Sequence, residues 1–344
     1  MALIVNELTT EDDQAWDEFV RASPHGLPHH RLGWREVIGR TYGYRPRYLV
    51  ARSDAKVVGV MPLFEVPSRI EGFHLTTLPG GLCAASDEAG YALVQRAKEL
   101  VRSSNARFLA IRDSRRKWDD ELVSHHSQCS VVIDVSDGLA AFQNSLSRSV
   151  RQHIAQGKKS GVELTHGTED LGSFYQVFAA FLQSRGTPIF PERFLATQVE
   201  VFQDEVRLRA ALHQGKLVAG SVSFLLGSAL FSISLFSLDD RHKLKINHLL
   251  YWDRIQLACE RGLELVDLGR SSIGSGQYDF KMSWRGFEVP IYQQFWLHRT
   301  RKMPLLVDDA RRGYGRLFAR VWQRLPVQVA HVVGPLIRRE LPFV

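Results

Sequence analysis

A weak internal repeat constrains this chain more than any other feature. Residues 48–64 read as strand, polar turn and strand, and residues 208–224 repeat that pattern. Lys56 matches Lys216, Val58 matches Val218 and Phe64 matches Phe224. Both stretches predict β-hairpins, with turn chemistry between two apolar runs. Each is followed by a helix feeding a strand. Residues 91–101 carry apolar side chains at helical spacing and break at 103–105 before a strand at 108–111. Residues 247–259 do the same, with Gly262 as the stop before a strand at 263–268. Two matches in the same order predict two copies of one mixed α/β design, an α+β arrangement with mixed sheets.

The joint is expected near residue 136, after a strand at 131–135. Beyond it, Ser136-Asp-Gly caps a helix through Lys159 that ends at Gly161. A second helix starts at an N-cap near Thr168 and carries Phe174, Phe178 and Leu182 on one face. Pro191 opens a short third helix to about Phe202. The expected domains are therefore 1–135, 136–300 and a C-terminal amphipathic helical tail, 301–344. At 344 residues the chain is long enough for about two cores.

Charge adds a second constraint. The net +7 belongs to the tail: residues 299–344 hold ten Lys/Arg against three acids, and the rest is neutral. No apolar run approaches the roughly 20 residues that span a bilayer. Cys83, Cys129 and Cys259 are too few and too far apart for a disulfide framework or a thiolate metal site. The N-terminus turns acidic after a short apolar start, which does not fit a signal peptide. A cytoplasmic protein is expected. The thirteen histidines show no paired helical spacing with a third ligand, so no metal is expected. Walker and Rossmann fingerprints are missing, and nothing points to DNA.

The chemistry-bearing stretch is 267–286. A strand runs into a loop of small residues that brings Arg270 and Lys281 close to a backbone bared by Gly274 and Gly276. Two cations beside a donor-rich backbone suit a phosphate or a developing oxyanion.

The same stretch carries a family resemblance. Leu146 through Gly161, Arg185-Gly-Thr-Pro-Ile-Phe-Pro191, Tyr251-Trp with Glu260-Arg-Gly-Leu263, Asp267-Leu-Gly-Arg-Ser271 and Gly274 through Lys281 all resemble the Fem-type aminoacyl/peptidyl transferases. So do His29-His-Arg-Leu-Gly-Trp34, Val58 through Leu63, and the tail from Leu325-Pro to Gly334-Pro-Leu-Ile-Arg338. The likeness is strongest to FemAB-related proteins associated with PEP-CTERM/exosortase and exopolysaccharide systems. It implies two tandem GNAT-like acyltransferase domains and amide-bond formation by attack of an amine on an activated carbonyl. The donor would be an aminoacyl-tRNA ester or an acyl-CoA thioester, used as co-substrate with no tightly bound cofactor. The acceptor would be a sugar or peptide precursor on a nucleotide or lipid carrier.

On that resemblance Lys281, after Phe280, stabilises the tetrahedral intermediate; the plain alternative is a lysine that blunts a strand edge. Arg270 would bind a phosphate or carboxylate, or else pair with Asp267 or Asp279. Its spacing to Gly274 and Gly276 is one residue longer than the GNAT coenzyme-A loop. Arg148, Arg151, Lys158 and Lys159 would contact substrate phosphates or form an ordinary solvated face. Asn247 and Tyr251 at the helix start, and Tyr278 in the Gly274 to Lys281 motif, complete the candidate substrate-binding set, with Tyr251 and Trp252 also readable as packing groups. His29 and His30 lack an acidic partner and read as satisfied or exposed side chains.

In the tail, Arg312, Arg316, Arg320 and Arg324 recur every fourth residue opposite Tyr314, Leu317, Phe318, Val321, Trp322 and Leu325. The expectation is a helix packed back on the first domain with its arginines in water. The alternative is weak peripheral contact of 308–338 with the inner membrane face. Three functions stand: an aminoacyl transferase on a cell-envelope or exopolysaccharide precursor, an acyl-CoA-dependent N-acyltransferase on a small amine, and a non-catalytic assembly protein.

Overall fold

The computed structural model describes residues 3–238, 244–305 and 313–341, with backbone alone at 313 and 314. The chain begins with β1 (Leu3–Glu7), α1 (Asp13–Ala22), α2 (Trp34–Tyr42), β2 (Arg45–Pro46), β3 (Leu49–Ser53) and β4 (Lys56–Met61). There follow β5 (Leu63–Ser68), β6 (Gly72–Thr77), β7 (Cys83–Ala84), α3 (Asp87–Arg102), β8 (Phe108–Ser114) and β9 (Val123–Asp134). Next come α4 (Gly138–Ser145), α5 (Arg148–Lys158), β10 (Val162–His166), α6 (Leu171–Ser184), α7 (Glu192–Phe202), β11 (Val206–His213) and β12 (Lys216–Leu226). The last are β13 (Ala229–Ser237), α8 (Ile246–Glu260), β14 (Leu265–Ser272), α9 (Gly276–Met282), β15 (Phe287–Leu297), α10 (Gly313–Gln323) and α11 (Val327–Glu340).

Of the described residues, those within Met1–Ser127, Pro290–Val321 and Gln328–Val344 form one compact unit, and those within Gln128–Val289 and Trp322–Val327 form the other. The division falls inside β9, ahead of residue 136, because Gln128 to Asp134 pair antiparallel with β14. The tail is shared between the units: Gln183 Nε2 donates to Leu325 O at 2.7 Å in the second, while Tyr44 Oη donates to Arg339 O in the first.

The repeat extends to backbone detail. The β3–β4 and β11–β12 hairpins both turn on two residues of positive φ, Asp54 with Ala55 and Gln214 with Gly215. That geometry matches the strand twist of a two-residue hairpin. Both hairpins also bulge at the same place. Ala51 and Arg52 pair with Gly59 and Val57, skipping Val58; Ala211 and Leu212 pair with Ala219 and Leu217, skipping Val218. In each half a strand, a helix and a parallel strand follow, as β6–α3–β8 and β13–α8–β14. The halves differ at Pro62. The eleven residues of β12 pair with both β11 and β13. In the first half Pro62, which has no N–H for a ladder, divides the equivalent strand into β4 and β5. β4 joins a four-stranded sheet ordered β1-β3-β4-β7, and β5 joins β2, β6, β8 and β15.

The first core fills with the buried stripe of α3, Leu93, Val94, Ala97, Leu100 and Val101, against Leu49, Met61 and Leu75. Gly90 is required there, since a Cβ would stand 2.0 Å from the Trp118 ring. In the second unit the strand order is β10-β11-β12-β13-β14-β9. Alternation along β13 decides its two faces. Phe236 meets Phe174 and Phe178 of α6, while Leu235 packs with Ile246, Leu250 and Tyr251 of α8.

Several expected boundaries shift. The helix expected from 138 to 159 is two helices. Leu146 is extended and Ser147 caps a new start, its Oγ accepting from Val150 N at 3.3 Å. Asp170 rather than Thr168 caps α6, its side chain accepting from Ser173 N at 2.9 Å. The strand expected to stop at 268 runs to Ser272, so Arg270 lies within β14 and not after it.

Candidate active site

In the second unit the parallel β13–β14 ladder stops early. Ala229, Leu230 and Phe231 pair with Leu265, Val266 and Asp267, yet β13 continues to Ser237 and β14 to Ser272. Beyond those pairs the strands part, and main-chain groups that a ladder would consume are left for other partners. The parting starts at a bulge: Asp267 pairs with Val132 and Arg270 with Ser130, so Leu268 and Gly269 oppose one residue of β9. Gly269 adopts φ +77, and a Cβ there would stand 2.6 Å from Ser232 O on β13 and 4.0 Å from Lys281 Nζ. Only glycine fits between them.

Each wall of this split is held by one buried cation. On the β14 side Lys281 of α9 is 2% exposed, and its Nζ donates to Gly269 O at 2.7 Å and Arg270 O at 2.9 Å. Its third proton has no hydrogen-bond partner among the described residues. On the β13 side Arg254 of α8 is 1% exposed and donates Nη2 to Ser234 O at 2.9 Å. Its Nε and Nη1 have no hydrogen-bond partner among the described residues. The guanidinium carbon lies 5.5 Å from the centre of the Tyr251 ring, a cation–π contact that partly replaces lost hydration.

Burial dominates the electrostatics. It lowers the Lys281 ammonium from 10.5 to about 7, with Arg254 and Arg270 pushing the same way and the charges of Asp267 and Cys129 opposing. It likewise lowers Arg254 to about 10. Asp267, 4% exposed, accepts from Ser130 Oγ and from Gly269 N at 2.8 Å, so the bulge itself holds the carboxylate. Aromatic rings close the other side. Tyr251 stacks on Trp284 at 5.6 Å and meets the edge of Phe280 at 5.1 Å. His248 joins them and is lowered to about 4, chiefly by burial. The result is a proton-bearing nitrogen with near-neutral affinity, in a weakly screened site, beside an opened strand pair. Such a group can bond to negative charge developing on a carbonyl oxygen.

Of the other residues singled out in the sequence, Arg270 and Tyr251 belong to this site, whereas Arg148, Arg151, Lys158 and Asn247 are not gathered here. Arg270 is exposed on β14, one residue past the bulge. Arg151 and Lys158 belong to α5: Arg151 Nη1 donates to Asn144 O at 3.0 Å, and Lys158 Nζ lies 5.4 Å from the centre of the Trp252 ring. Arg148 and Asn247 are exposed. No hydrogen bond, ion pair or ring contact among the described residues joins Arg148, Arg151, Lys158 or Asn247 to Lys281. Tyr278 Oη donates to Glu288, and Tyr251 is a wall of the aromatic cluster. Gly274 and Gly276 flank Ser275, whose Oγ accepts from Tyr278 N at 3.2 Å to start α9. The turn therefore serves to launch the helix that carries Lys281, which rules out the strand-edge alternative for that residue. His30 is buried and satisfied: its Nδ1 accepts from Leu27 N at 3.1 Å and its Nε2 meets Gly80 O at 3.2 Å. Arg254, Asp267 and Gly269 were missed as a group. Arg254 did carry a signal, a cation at i+3 and i+4 from Tyr251 and Leu250 within the apolar stripe of a helix.

The model of a family described as an acetyltransferase (GNAT) domain matches residues 144–282, which contain the split and Lys281. Among solved structures, FemX superposes with a TM-score of 0.68 at 14% identity, over 87% of this chain and 98% of its own. The L-PGS structure from Bacillus licheniformis gives 0.58 at 13% identity, over 93% and 99%. A tandem GNAT protein from the clavulanic acid biosynthesis pathway gives 0.54 at 11% identity, over 85% and 98%. No curated protein sequence matches this chain significantly. The fold is mixed α/β with two tandem GNAT-like domains.

Proposed function

We propose that this chain is an acyl or aminoacyl transferase that forms an amide bond in the β13–β14 split. An amine nitrogen attacks the carbonyl carbon of an activated ester or thioester, and the C–N bond forms as the carbonyl oxygen takes up negative charge. Lys281 donates its uncommitted proton to that oxyanion, a bond stronger in the tetrahedral state than to the neutral carbonyl. Collapse then expels the tRNA ribose oxygen or the CoA sulfur, and the amine loses its surplus proton to the leaving group or to water. Arg254 and the bulge carbonyls hold the two strands apart around this event. Arg270, at the solvent edge of the split, is the anchor for an anionic part of a substrate. The likeness to FemX and L-PGS supports an aminoacyl donor and a cell-wall or lipid acceptor; an exopolysaccharide-related acceptor, or one on a nucleotide carrier, rests on the sequence resemblance alone. The GNAT family match favours an acyl-CoA thioester.

The observation that carries this reading is the buried Lys281 nitrogen, pinned by two carbonyls and holding one proton in reserve. The test supplies the purified protein with a panel of CoA thioesters and with charged tRNA, each with a panel of amines, and follows amide product by mass spectrometry. Lys281→Met, with its fold checked by circular dichroism, should lower turnover about a hundredfold or more. Ribonuclease should abolish the reaction only if tRNA is the donor. Full turnover by the variant would dismiss Lys281 as the oxyanion's partner.

A further inference from the structure

Exposed apolar side chains are concentrated, among the described residues, on the last two helices. Among the described residues, fifteen large hydrophobic side chains are exposed, and seven belong to α10 and α11: Leu317, Phe318, Val321, Val327, Val329, Val332 and Leu336. Their arrangement inverts ordinary packing. α11 turns Ala330, Gly334 and Arg338 inward at i, i+4 and i+8, and turns Val329, Val332 and Leu336 outward at i, i+3 and i+7. It is fixed in that orientation by Tyr44 Oη on Arg339 O and by Arg69 N on the Glu340 carboxylate. On α10, Leu317, Phe318 and Val321 share one exposed face, while Trp322 of the same expected stripe is buried, so the stripe packs back on the protein only in part. At 3.6 residues per turn, Arg316, Arg320 and Arg324 form the row that borders this face, and all three are exposed. Arg312 lies outside the described residues, and the Tyr314 side chain is not described.

Charge selects the occupant. The described parts of these helices contain one acid, Glu340, and it is engaged by the Arg69 amide. A second copy would bring like charge against like charge. An anionic lipid surface offers phosphates to the arginine row and an acyl boundary to the apolar stripes. Among the described residues no helix is long and apolar enough to cross a membrane, so contact of this kind is peripheral. We propose that α10 and α11 dock the chain on an anionic membrane surface. This inference stands apart from the transfer reaction, and its test does not use turnover.

The full chain is sedimented with vesicles of phosphatidylcholine containing phosphatidylglycerol, and with vesicles of phosphatidylcholine alone, at low and high salt. It should pellet with the anionic vesicles and be released by salt. The pair Val332→Glu and Leu336→Glu should weaken partition at least about tenfold by removing two apolar anchors. Replacing Arg316, Arg320 and Arg324 by Gln should weaken it about a hundredfold. All five positions are exposed, and thermal unfolding checks that the variants fold. Wild-type protein that stays in the supernatant, that binds both vesicles equally, or whose variants bind unchanged, overturns the proposal. Concentration-dependent self-association that the Glu pair abolishes, without vesicle binding, would assign the surface to a second copy and overturn it too.

Discussion

Lys281 makes a quantitative prediction that does not depend on any substrate. Burial lowers its ammonium from 10.5 to about 7, so between those values folding releases a proton. Stability then rises with pH across that window, because the unfolded chain binds the extra proton. Below about 7 both states are charged and the folded chain carries the whole penalty, about 5 kcal/mol at ~1.4 kcal/mol per pKa unit. Above 10.5 both states are neutral and the penalty has gone. From about pH 7 to about pH 9 the Lys281 contribution to unfolding free energy should climb by about 2 kcal/mol. Lys281→Met removes the titrating group but keeps an unbranched chain. It also strips the Gly269 and Arg270 carbonyls of their donor, a loss that does not change with pH. Urea unfolding of both proteins at several pH values, followed by tryptophan fluorescence, gives the comparison. The stability difference should move in favour of the wild type by about 2 kcal/mol over that range. Parallel curves would mean that Lys281 keeps ordinary proton affinity, and the reasoning from burial would fail.

Gly269→Ala should destabilise by at least about 2 kcal/mol in the same denaturation assay, since it adds a clash with Ser232 O to the cost of positive φ. Gly274→Ala, at φ +73 with nothing within 4 Å of its Cβ, should lose only about 1 kcal/mol; equal losses would discount the clash. Arg254→Met takes away a neighbouring cation that lowers Lys281, so the pH midpoint of Lys281 acylation by an amine-selective reagent, read by peptide mass spectrometry, should rise above about 7. An unmoved midpoint would remove Arg254 from the electrostatics of the site.

The hairpins were legible because apolar alternation and turn residues are local, and the repeat made each support the other. The split between β13 and β14 was not. It depends on where a ladder stops, and that is decided by one glycine meeting a carbonyl from a strand some forty residues earlier in the chain. Lys281 stood out through its motif, whereas Arg254 was hidden inside a helix whose apolar residues drew attention first. The first half of β9 is equally obscure, since Ser124 to Ser130 are nearly all polar. Periodicity found the stripes of the tail but says nothing about which side of a helix meets the protein, and the small residues Ala330 and Gly334 decided that. The basic run on α5 shows a limit of spacing, which gathers charges on one helix without saying whether a substrate reaches them.

The surplus residue in each hairpin, Val58 in one and Val218 in the other, also bears on ancestry. An insertion in a strand reverses the facing of everything beyond it, so it persists only where the surrounding packing has adjusted. Two such events at the same step of two hairpins are far less economical than one event before the gene segment was copied. Pro62 has no counterpart in the second hairpin and divides only one copy, so the two halves have diverged at that step. The half whose strand stayed whole is also the half that holds the split.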